Sequence, residues 1–331
     1  MNPRLAMALR WAAGLAILGV VLSSFDLGAV RGRLSSLDLR LALPAILGLV
    51  AVHLIAAASW RRLTEGLTGH RLGWRTTVRL YYAAQAWGAI TPANLGADVF
   101  RVAAVDPGPG RARSARPVAI QRLASVGALA LLGLLGAASL PIAGLGQFIL
   151  ALVIVGAAVG VLIVLLTRGA GVFHGPIRAV ARRLGVDLSA VPSGRGLAVA
   201  LRDGLGLALL FHGLSLAFGL VLVAAVDRPT LANPAQILAA LAVARLSLAV
   251  PLSPNGIGLQ EGALTILFVQ LGLAPDVALA AAFLNRLALV LTAALGSVAL
   301  LFGPRAATGL AATPAASSAA AASRRSRPAD G

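Results

Sequence analysis

Two stretches, TPANLGADVFR (91–101) and PLSPNGIGLQE (251–261), set breaker residues, charges and amides inside otherwise apolar surroundings. Both contain the pattern Pro-x-x-x-Gly-x-polar: Pro92, Gly96 and Asp98 in the first, Pro254, Gly258 and Gln260 in the second, with Gly256 between. Proline withdraws a backbone donor and glycine permits a turn. A helix broken at membrane depth frees N–H and C=O groups that cannot face lipid, so they must line a polar cavity or be buried in protein. Matching breaks in the two halves of a chain point to an inverted-repeat transporter with its binding site at the breaks. On this reading Pro92, Gly96, Asp98, Pro254, Gly256 and Gly258 build re-entrant turns that act as gates. The alternative is two ordinary inter-helix turns.

Charge near these breaks suggests what binds there. Arg122, Arg245 and Arg286 fall within apolar stretches, where each costs roughly 2.5–3.5 kcal/mol at a helix centre. Such residues usually face an internal cavity and have partners, and acids are scarce: Asp98, Asp203 and Glu261 are the best placed. Unpaired guanidinium groups suit a phosphate or another anion. Arg101, Arg122, Arg245, Asn255, Glu261 and Arg286 are therefore the candidate substrate-binding residues. Snorkelling of Arg122 to the interface, a loop position for Arg101, and structural ion pairing of Glu261 with Arg245 or Arg286 are the competing readings. His53 and His212 read as helix–helix hydrogen-bonding groups, and the four tryptophans mostly as interface anchors. No histidine spacing suits a metal, no nucleophile arrangement is visible, and the expectation is no cofactor and no enzyme activity.

These residues need a membrane scaffold. The 331 residues are 59% hydrophobic and 12% charged, with a mean hydropathy of +0.90; a soluble domain carries about twice that charged fraction. Several apolar runs reach the roughly 20 residues a bilayer requires. Cysteine is absent, which removes disulfides and thiolate sites. Every basic side chain is arginine, and a Walker A loop needs lysine. The net charge of +17 does not indicate nucleic acid, because the arginines lie between apolar spans instead of on one soluble face. Basic loops stay in the cytoplasm. The arginines of 61–79, 111–116 and 168–202 then place both termini inside, with segment 81–105 entering and leaving the membrane on the cytoplasmic side. Spans are expected at roughly 6–24, 41–60, 117–138, 145–167, 204–226 and 278–302, boundaries being good to about 2–4 residues. The first run reads as a span and not as a cleaved signal. The expected fold is all-α: a polytopic membrane helix bundle of about eight spans or span equivalents with two inverted-repeat re-entrant hairpins. Residues 1–304 form the membrane domain and 305–331, small, polar and low in complexity, a disordered cytoplasmic tail.

The pair of broken motifs, with Arg245 upstream and Arg286 in the last span, resembles the flippase-like family that includes the transmembrane domain of lysylphosphatidylglycerol synthase. The family's first motif is a proline, then Gly-Glu, then an arginine. Here Pro92, Gly96 and Arg101 match, and Asp98 stands near the acid with Ala97 intervening. The second motif, Ser253-Pro254-x-Gly256-x-Gly258 followed by Glu261, matches closely, with Asn255 where glycine is frequent. The resemblance covers about residues 5–303. It implies an eight-span bundle with two re-entrant hairpins that moves lipids with charged or glycosylated head groups between leaflets of the cell membrane. The family's enzyme members carry a soluble aminoacyl-transferase domain after the membrane part; no such domain is expected here. The expected partner is a membrane lipid or lipid-linked substrate. A separately encoded soluble enzyme would make the chain a subunit of a lipid-modifying transferase, and a secondary transporter of a small organic anion is the third reading.

Overall fold

The computed structural model describes residues 3–105, 111–137, 195–227, 233–246, 248 and 252–301. The described residues are helical, with one isolated antiparallel bridge between Pro92 and Pro254. In chain order the helices are α1 (Pro3–Ser23), α2 (Leu27–Ser35), α3 (Leu39–Ala51), α4 (His53–Thr68), α5 (Trp74–Ala89), α6 (Leu95–Val105), α7 (Arg111–Ala137), α8 (Arg195–Val226), α9 (Pro234–Leu246), α10 (Leu259–Gln270) and α11 (Pro275–Leu301). The expected span 145–167, most of the 168–202 loop and the 305–331 tail lie outside the described residues.

Four helical segments among the described residues are long and apolar enough to cross a membrane: Leu39–Thr68, Ser114–Gly133, Arg202–Val226 and Pro275–Leu301. The pair Ala8–Ser23 and Leu27–Ser35, bent by 86°, makes a fifth if it counts as one span. Three expected loops are corrected. The 25–40 stretch contains helix α2, because Asp26 caps it by accepting from the N–H groups of Gly28 and Ala29 at 2.8 and 3.1 Å. Most of 61–79 is helix, since α4 runs to Thr68, where Gly69 ends it at φ 76°, and α5 starts at Trp74. Likewise α8 begins at Arg195, inside the expected basic loop. At α4 and α8 arginine, a good helix former, continues the helix past the apolar segment.

Helices α8 and α11 are the central posts. The first packs on α3, α4, α7, α9 and α11; the second packs on α2, α3, α5, α8 and α10. The main core joins Leu222, Ile237, Leu241, Leu264, Phe268 and Leu279, with runs of alanine at 239–244 and 278–282. Small residues let helix backbones approach closely, the usual basis of packing where lipid removes the hydrophobic drive. Gly296 of α11 shows how close: a Cβ there would stand 2.1 Å from the carbonyl oxygen of Tyr82 on α5. Gly296→Leu is therefore expected to lower the stability of the detergent-solubilised protein by about 1–3 kcal/mol or more, read as a thermal-melting shift. An unchanged melt would show that α5 and α11 separate without cost.

Trp60 corrects another expectation. It is fully buried beside Tyr81 instead of anchoring at an interface, whereas Trp74 and Trp87 are exposed.

Candidate functional site

Both expected breaks are present, and they meet. Chain direction reverses between α5 and α6 at Pro92–Leu95, and between α9 and α10 at Pro254–Ile257. Leu95 N–H donates to Pro92 O at 3.1 Å, and Ile257 N–H to Pro254 O at 3.0 Å. The two central residues have positive φ in each turn: Ala93 (49°) and Asn94 (59°), Asn255 (44°) and Gly256 (67°). Two consecutive positive φ values define the type I′ geometry. Three of these four residues are not glycine, so the conformation is disfavoured and must be held by its surroundings. The turns hold each other in part, because Asn255 N–H donates to Thr91 O at 3.1 Å across the Pro92–Pro254 bridge.

Each turn is also clamped by an arginine from a later helix, itself neutralised by an acid at the start of the helix after the turn. Arg122 of α7 donates through Nη2 to Ala93 O and through Nε to Asp98. Arg286 of α11 donates to Asn255 O and Gly256 O, both at 3.0 Å, and through Nε to Glu261. Glu261 accepts in addition from Gly258 N–H at 2.8 Å, at the N-terminus of α10. Gly258 has φ 79°, and a Cβ there would lie 2.4 Å from Gly14 O, so the second turn also seats α1. In the first turn Gly96 N–H donates to Thr91 Oγ1 at 2.7 Å.

The two clamps differ in what they face. Asp98, Arg101, Arg122, Arg245 and Asn255 line one cavity of about 260 Å³; Glu261 and Arg286 do not border it. The Arg286–Glu261 pair is buried, at 14% and 3% side-chain exposure, and its atoms are spent on the turn. Arg122 keeps 37% exposure. Arg101 is not a loop residue: it is 5% exposed, bound to Asp98 and Gln121, with its guanidinium 5.4 Å from the Tyr81 ring and 5.9 Å from Trp60. Gln121 passes the contact on to Ala56 O at 2.7 Å, tying α4, α6 and α7 together. Arg245, near the end of α9, donates to Ser215 O of α8 at 3.1 Å and pairs with no carboxylate among the described residues. Asp203 stands apart, half-buried beside the exposed Arg202.

The sequence reading missed much of the polar wall. Gln85, Asn94, Gln121, Gln260 and Asn285 join Asn255 around the cavity, with both span histidines and Ser59. His212 makes the expected inter-helix bond, to Ser125 at 2.6 Å. His53 instead bonds Leu49 O of the preceding helix at 3.1 Å. The buried atoms Gln260 Oε1, His212 Nδ1 and Ser59 Oγ have no protein partner, and buried polar atoms are normally satisfied. The available signal was a single amide or hydroxyl within an apolar run, which helix–helix bonding explains equally well from sequence.

The fold and site define a multi-pass membrane protein whose helices border a cavity lined, among the described residues, by one carboxylate, three guanidiniums and several amides. The chain belongs to the family described as the lysylphosphatidylglycerol synthase TM region, whose model matches residues 7–296. It is thus a membrane protein related to lipid modification or translocation. No curated protein and no solved structure matches it.

Proposed function

We propose that the chain is a translocator, flippase or scramblase in type, for an anionic or lipid-linked head group in the cell membrane, with both termini cytoplasmic, and that it performs no covalent chemistry. The observation that carries this reading is the cavity itself. Three arginines and one aspartate border it, and the two bridged turns close one wall. A head group crossing a bilayer needs a polar, charge-matched path while its acyl chains stay in lipid. Arg245 supplies a positive charge that no carboxylate among the described residues pairs with, and Arg122 and Arg101 share Asp98 until an anion competes for them.

In this scheme the two turns act as inverted gates. They have the same backbone geometry and the same arginine–acid clamp, which supports the repeat. Parting the Asn255–Thr91 hydrogen bond would open the wall between them. A charged head group moving through 100 mV draws on roughly 2.3 kcal/mol per charge; without such a drive the movement is passive.

Reconstitution tests the proposal. Purified protein in vesicles carrying acyl-labelled phosphatidylglycerol should move label between leaflets faster than protein-free vesicles do. Rates equal to those of protein-free vesicles would refute it.

A further inference from the structure

The cavity's charge and hydrogen-bonding inventory selects among head groups. Asp98 is the only carboxylate that borders it among the described residues, and both its oxygens already accept from Arg101 and Arg122. Against it stand three guanidiniums, one of them, Arg245, without a carboxylate partner. Six carboxamides complete the wall: Gln85, Asn94, Gln121, Asn255, Gln260 and Asn285. Gln121 is committed at both ends, to Arg101 and Ala56 O. Gln260 is 4% exposed, and its Oε1 is unsatisfied.

Resting on the translocator reading, we infer that this cavity takes a phosphodiester head group bearing hydroxyls, of the glycerol or sugar kind, and rejects an aminoacylated one such as the lysylphosphatidylglycerol in the family's description. The phosphate belongs beside Arg245, the cavity cation that no carboxylate among the described residues neutralises. Hydroxyl groups can exchange hydrogen bonds with the amides that border the cavity, Gln85, Asn94 and Asn255 among them. An ammonium could also donate to these amide oxygens, but its charge would enter a region already in positive excess. No free carboxylate would receive it. Leaving like charges unpaired against the wrong ligand is how a site discriminates.

The test uses the full chain in phosphatidylcholine vesicles with three probes: acyl-labelled phosphatidylglycerol, acyl-labelled lysylphosphatidylglycerol, and soluble glycerol 1-phosphate. Phosphatidylglycerol is expected to cross at least about tenfold faster than its lysylated form, a difference of about 1.4 kcal/mol. Gln260→Glu, which adds a carboxylate to the wall, should shrink or reverse that ratio in protein that still elutes and melts as a folded species. Equal or faster movement of the lysylated lipid by the unmodified chain overturns the inference and leaves the translocator standing. Movement of neither lipid, with uptake of glycerol 1-phosphate, overturns the lipid reading while supporting the phosphate–hydroxyl chemistry. Movement of none of the three overturns both.

Discussion

Arg286→Ala is expected to destabilise the fold by about 3–5 kcal/mol, the usual cost of removing one member of a buried ion pair. Three groups lose their donor at once: the Glu261 carboxylate, which is 3% exposed at its side chain, and the carbonyl oxygens of Asn255 and Gly256. The carbonyls belong to residues with positive φ, so the clamp and a disfavoured backbone fail together. Glu261→Gln should cost less, because a carboxamide oxygen can still accept from Gly258 N–H and Arg286 keeps both carbonyls. The double variant Glu261→Gln/Arg286→Leu should fall well short of the sum of the two single losses, since neither charge is left stranded. Denaturation midpoints of the four proteins in one detergent decide the matter. Additive losses would mean that the two side chains act independently and that the clamp is not a unit.

The same pair shows where sequence reading succeeds and where it stops. Breaks at Pro92 and Pro254 were legible because proline and glycine change the backbone itself, wherever the chain sits. The buried arginines were legible because their cost in an apolar run is large. What they would touch was not. Glu261 and Arg286 are 25 positions apart, as Asp98 and Arg122 are 24 apart, and both pairs hold a turn, yet only the second also borders the cavity. That difference arises from how α7 and α11 rotate about their axes when packed, which depends on contacts such as Gly296 on Tyr82 O. Nor does the sequence announce left-handed Ala93, a residue whose side chain gives that conformation no help. The polar wall was invisible for a related reason. Gln260 and Asn285 stand beside the charged Glu261 and Arg286 on mostly apolar helices, and only the assembled bundle turns the two amides, not those charges, to the cavity. Helix beyond the apolar runs went unread at α4 and α8, which arginine extends, and at α2, which Asp26 starts anew.

Arg245 should behave in the opposite way to Arg286. Among the described residues its guanidinium donates to Ser215 O and pairs with no carboxylate. An isolated charge in such a place costs stability, so Arg245→Gln is expected to leave the melting temperature unchanged or raise it. Translocation of phosphatidylglycerol should nevertheless fall by at least about tenfold, because the lost group is a cavity charge that no acid among the described residues shares; a charge-assisted hydrogen bond is worth about 1.5–3 kcal/mol. Arg245→Lys should recover part of the rate, since it restores the charge without the two-pronged donor geometry that suits a phosphate. Melting curves and vesicle assays on the same preparations separate the two effects. A variant that melts normally and still moves lipid at the unmodified rate would remove Arg245 from the site. One that loses stability and activity together would make it a structural residue. Stability kept with transport lost is the outcome that only a ligand-binding charge produces.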